Sequence, residues 1–235
     1  MFGKKFKSKV ISNVATLDLR PYAIGDSFSS IRKIENVATL IVPKDMDEKA
    51  AANFAKIEIK NVASTINLSN DAHLHQINGS NIIDMINDPG VHIISGIAII
   101  KDVAPNKDIR LMTNGIAVFN TACKDRLNLI ACNGVSHFVD LSGDVKLFPN
   151  KTSIDAKSLE YIKDNAVFVA GNKIIIEEDV TSDMLAKKSL QLVAGNKIVC
   201  GDAAMAYVRA TATVGNKVQS LEEYNKLSEK DKDVK

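Results

Sequence analysis

Three groups of side chains in this sequence have types and spacings that can do chemistry. His73 and His75 share one strand face, and His92 stands in the register of His75 one repeat further on, so three imidazoles can converge within reach of a metal ion. No acidic residue is placed to orient them, and an HxH pair equally describes neutral surface or partly buried histidines. His137 occupies a position held in neighbouring repeats by Ile99 and Val118 and reads as a core histidine. The second group is Lys151, Lys173, Lys197 and Lys217, each following an asparagine. Four ammonium groups in register repel one another, which an acidic partner or anionic ligand along that edge would relieve. A solvated row that discourages strand pairing, offset by Glu177, Glu178 and Asp179, is the alternative. The third group is Cys123, Cys132 and Cys200, an odd number without CxxC, which suits reduced thiols rather than a disulfide framework or zinc knuckle. Cys132 has no histidine partner, and GxSxG, GxxxxGK[ST], HExxH and GxGxxG are all absent. The expectation is a protein without catalytic residues, metal or cofactor.

The elements that position these groups follow from an internal repeat. Asn13-Val14-Ala15-Thr16-Leu17 recurs as Asn36-Val37-Ala38-Thr39-Leu40, and Val-Ala-Gly-Asn-Lys-Ile at 169–174 recurs letter for letter at 193–198. Between them the anchor appears as Asn61, Asn78-Gly79, Ser95-Gly96, Asn114-Gly115, Asn133-Gly134 and Asn150, and after them as Asn216. A recurrence of about twenty residues means stacked turns of a solenoid. Two and four residues to either side of an anchor the sequence is apolar or small, as in Phe168, Ala170, Ile174 and Ile176 around Asn172, which is the period of a strand. Placed on the inward face, the asparagines would stack turn on turn. The long spacings have room for helices, at Met46, Ala50, Phe54 and Ile57 behind Pro43, at 153–162, and after Thr181. Strands joined by such crossovers are parallel, and the crossover hand is right.

The pattern resembles the leucine-rich-repeat class, in which a strand, an asparagine at the bend and a helical return recur every twenty-odd residues. It is also similar to uncharacterised proteins of Gram-positive bacteria that share the Val-Ala-Gly-Asn-Lys-Ile phrase. The resemblance implies an α/β right-handed parallel solenoid of about eleven coils, with helices in the outer thirds and thinner β coils in the middle, and it implies no activity. The corresponding organisation is an N-terminal cap or basic arm at 1–12, one solenoid domain at 13–218, and a cap helix with a charged tail at 219–235. Here the spacing before Asn196 departs from the L-x-x-L-x-L-x-x-N-x-L pattern, and Val or Ile often replaces Leu.

Three residues before the anchor, Leu111, Ile130, Leu147, Val169 and Val193 form an aliphatic column over five consecutive turns. Exposed, such a stripe is a docking surface for a protein; covered by another element, it is core, as in sheets buried on both faces. Composition bounds the partners. The 235 residues are 46% hydrophobic with a net charge of +2, so no bulk charge favours nucleic acid. The longest near-apolar stretch, 91–100, is too short to cross a bilayer, and residues 10–17 are too broken for a signal peptide, so a cytoplasmic protein is expected. The functional expectation is a non-catalytic protein-binding or scaffold module. A protein that assembles with itself through its solenoid ends, and a metal or enzymatic site at His73, His75 and His92, are the alternatives. Aromatic residues are only 5%, and tryptophan is absent, which suits an interior of small aliphatic slots.

Overall fold

The computed structural model describes residues 9–105 and 107–230. The first eight residues of the N-terminal arm and the tail beyond residue 230 therefore lie outside the described residues. The chain is α/β, with short parallel strands and few helices.

Three long strands come first: β1 (Lys9–Asp18), β2 (Ile31–Pro43) and β3 (Glu58–Leu68), paired in the order β1-β2-β3. Each runs straight through its anchor, Asn13, Asn36 or Asn61, at φ of 58°, 54° and 50°. Asparagine tolerates this left-handed conformation because its short side chain bonds locally. Here the bonds run along a ladder, Asn36 Nδ2 donating to Asn13 Oδ1 and Asn61 Nδ2 to Asn36 Oδ1, both at 3.1 Å. Between β2 and β3 lies α1 (Glu48–Phe54).

The next eight strands alternate between two sheets. One contains β4 (Leu74–Ile77), β6 (Gly90–Ile94), β8 (Ile109–Thr113) and β10 (Asn128–Cys132); the other contains β5 (Ser80–Ile83), β7 (Ile97–Ile100), β9 (Ile116–Asn120) and β11 (Val135–Val139). The sharp corners between them fall at the predicted Gly positions. A Cβ on Gly115 would stand 2.0 Å from the Gly96 carbonyl oxygen, so only glycine lets the turns approach to strand spacing.

The last eight strands repeat this alternation. One sheet contains β12 (Val145–Phe148), β14 (Val167–Ala170), β16 (Gln191–Ala194) and β18 (Thr213–Val214); the other contains β13 (Lys151–Ile154), β15 (Lys173–Ile176), β17 (Lys197–Cys200) and β19 (Lys217–Ser220). The connecting helices are α2 (Ala156–Glu160), α3 (Ser182–Lys188) and α4 (Asp202–Thr211), and α5 (Leu221–Lys230) ends the described chain. The ±2 and ±4 positions around Asn172 and Asn196 are buried in one core with Leu159, Leu185, Ala204 and Val208 of the helices.

The strand ladder is not continuous from Asn13 to Val218. No pairing joins β3 to β4 or β11 to β12, so three groups of turns exist where one stack was expected. The groups meet face to face. Ile41 and Leu68 pack on Val91, Ile93 and Met112; Ile97, Ile99, Ile116 and Val118 pack on Val167, Val169 and Val193. Residues 139–144 carry the chain from the end of the second group back to the start of the third. The Asp140 backbone carbonyl accepts from Gln191 Nε2 and the Asp144 carbonyl from the Val167 amide, while Val139 and Leu141 are buried in the seam. Even with a bend at Ser142 and Gly143, the five residues 140–144 have a maximum reach of about 17 Å, against about 14 Å for three strand spacings.

Candidate functional site

The sheet containing β13, β15, β17 and β19 presents two outward rows. Lys151, Lys173, Lys197 and Lys217 are Cα partners in unbroken register, and so are Ser153, Ile175, Val199 and Gln219. α5 starts at Leu221, directly after β19, and lies over this face: Val199 and Gln219 are buried, and Tyr224 reaches the lysines. Lys173 Nζ donates to the Tyr224 hydroxyl at 2.5 Å and sits 4.3 Å from its ring centroid; Lys197 Nζ is 5.8 Å from the same centroid. The bond from Lys173, with the charges of Lys173, Lys197 and Lys151 around it, holds the Tyr224 phenol below its ordinary pKa. None of the four lysines forms an ion pair among the described residues, whereas Lys101, Lys188 and Arg126 each bind an aspartate. Lys151 and Lys217 are exposed, and Lys173 and Lys197 are half-buried.

Beside the lysines runs a second ladder, Asn172 donating to Asn150, Asn196 to Asn172 and Asn216 to Asn196 through Nδ2 and Oδ1 at 3.1 to 3.3 Å. The asparagines do stack turn on turn, but at exposed corners rather than on the inward face. The strand ends at the corner, so the parity that buries Ala170 and Ile174 leaves Asn172 outside. The row is therefore a regular strip of cations and amides, exposed at Lys151 and Lys217 and partly covered by Tyr224 at Lys173 and Lys197. Such a strip can accept carboxylates or other anionic groups through charge-assisted bonds.

The aliphatic column is not one column. Leu111 is inside the second group; Ile130 packs at its seam with the first group; Leu147, Val169 and Val193 pack at its seam with the third. The register slips between Leu129 and Ala131, so Leu129 rather than Ile130 stands beside Leu111. Leu111, Val169 and Val193 are fully or almost fully buried, and what covers the last two is the neighbouring group of turns.

The histidines divide as well. His75 and His92 are stacked, centroids 4.4 Å apart and planes 11° from parallel, with Nε2 of each facing a carbonyl, Pro89 for His75 and Asp88 for His92. Burial pushes the His92 pKa down against the opposing bond to Asp88. His73 is exposed, and among the described residues no three His, Cys, Asp or Glu side chains are grouped to hold a metal ion. His137 is half-buried with Nε2 unpartnered, and burial lowers its pKa. Burial pushes the Cys200 thiol up to about 11 and raises Cys123, which leaves both unreactive.

Tyr224 is the site residue missed by reading spacing alone. Its signal was the helical recurrence of Leu221, Tyr224 and Leu227, which marks an apolar face without saying which sheet it covers. No family model, curated protein or solved structure matches this chain. No helix among the described residues is long and apolar enough to cross a membrane.

Proposed function

We propose that this protein is a non-catalytic binding module, built of solenoid-like turns, that takes an acidic segment of a partner protein along Lys151, Lys173, Lys197 and Lys217. The observation that carries the reading is the register of those four lysines on an outer face, with no ion pair to a carboxylate among the described residues. Like charges carried by strands about 4.8 Å apart repel in the free protein, and a carboxylate-rich segment relieves that repulsion on binding. Ile130, Leu147, Val169 and Val193 pack in the chain's own seams, and Leu111 lies inside the second group.

The test is fluorescence anisotropy of a labelled glutamate-rich peptide at low and high salt. Binding is expected to weaken steeply with salt, and to fall roughly tenfold or more when Lys151 and Lys217, the exposed pair, are both changed to Gln. Peptide affinity that is indifferent to salt and to K151Q/K217Q overturns the proposal.

A further inference from the structure

Among the described residues, the second group of turns is open at both ends. In its last turn, Leu129 and Phe138 continue the interior columns of Leu111 and Phe119. Leu111 and Phe119 are fully buried, whereas Leu129 and Phe138 are 38% and 36% exposed. In its first turn, His75, Ile77 and Ile83 continue the columns of His92, Ile94 and Ile100, and with Met85 they line an open cavity of about 260 Å³. Met85 is 46% exposed. One end therefore projects an aromatic ring and a leucine, and the other holds an apolar hollow at the same column positions.

We infer that a second copy of this chain seats its first turn, β4 and β5, on the last turn, β10 and β11, of the copy before it. All four strands are terminal in their sheets among the described residues, and the outer edge of a terminal strand is where a further strand can pair. A parallel ladder repeats by translation, so the outer edge of β10 and β11 meets β4 and β5 as β8 and β9 meet β10 and β11. In that register Leu129 falls beside His75 and Phe138 beside Ile83, closing the hollow. Lys124, exposed and 5.6 Å from the Phe138 centroid, comes toward the exposed Asp88 at the rim of the hollow.

The third group supplies an independent match. Its turns advance alongside those of the second, a Cβ on Gly195 or Gly215 falling against Ile116 or Val135 of successive turns. Its asparagine ladder is polar: every donor points to the preceding turn, so Asn150 lends it only an acceptor and Asn216 only a donor. Stacked copies let Asn150 of the second copy donate to Asn216 of the first. Such a contact joins different surfaces and does not close on itself, so it extends to filaments.

Sedimentation equilibrium of the full chain tests this. The wild-type mass is expected to rise with concentration. Phe138→Asp spoils one end and Met85→Asp the other, so each variant alone should be monomeric at concentrations where wild type associates. Their equimolar mixture should form one-to-one dimers and nothing larger, because each variant keeps one sound end. If Phe138→Asp fails to fold by circular dichroism, Leu129→Glu replaces it. A wild-type protein that stays monomeric from micromolar to millimolar concentration overturns the inference. So does a mixture no more associated than its parts.

Discussion

The corners of this molecule rest on single residues whose substitution has sharply different costs. Gly115 has no room for a methyl group, because the Gly96 carbonyl lies 2.0 Å from where a Cβ would be. Moving that oxygen means opening the ladder, so Gly115→Ala should cost about 3 kcal/mol or more in urea denaturation. Gly25 has a positive φ of 68° and nothing within 4 Å of a Cβ, so Gly25→Ala should cost about 1 kcal/mol, from backbone strain alone. Equal losses at the two sites would show that close approach does not limit the corners. The glycines and asparagines were legible in the sequence as corners because they recur with the strands. Which way the asparagines face was not, since spacing alone does not tell a bend inside the core from one outside it. The lysine row was legible for the same reason as the corners: a residue fixed one step past each anchor must share one register.

Two of the helices depend on carboxylates at their N-termini. Asp47 accepts from the amides of Ala50 and Gly25, both at 2.7 Å, and Asp155 accepts from the Ser158 amide at 2.6 Å. These backbone bonds hold both carboxyls below the usual carboxylate range. With the folded pKa depressed, the caps contribute stability above the unfolded carboxylate range and lose it as pH falls through the folded pKa. Changing Asp47 and Asp155 together to Asn keeps an acceptor and removes the titration. The double variant should therefore show a shallower loss of stability in acid than wild type; an identical acid limb would show that the caps are not linked to pH. The helix start after Thr181 was readable from its capping residue; α1 was readable from the spacing of Met46, Ala50 and Phe54 behind Pro43, but it begins only at Glu48, where Asp47 accepts the Ala50 amide, and it leaves Met46 and Ile57 outside. α4 was not: its N-cap is Gly201 without a side-chain bond, and its buried face is Ala204 and Val208, too small to stand out as an apolar stripe.

At the scale of the whole molecule, the chain reverses to the start of a new stack without any change in the repeat. Asn133 to Asn150 spans 17 residues, the same as Asn61 to Asn78 and Asn78 to Ser95, so spacing cannot mark a boundary. The readable trace of the seam is the loss of alternation: β7 (Ile97–Ile100) and β14 (Val167–Ala170) are apolar at every position because both faces are covered. That shared burial ties the groups together, which predicts a single unfolding transition. With no tryptophan, tyrosine emission reports it, and changing Tyr22 to Phe leaves Tyr161, Tyr207 and Tyr224, all in the third group. Their signal should coincide with far-ultraviolet circular dichroism from the whole chain. Leu141, 6% exposed in the returning segment, lies in the seam, and Leu141→Ala should remove about 3 kcal/mol and separate the two signals. A tyrosine transition that already precedes the dichroism in Y22F would mean that the third group holds itself together and the seam couples it only weakly.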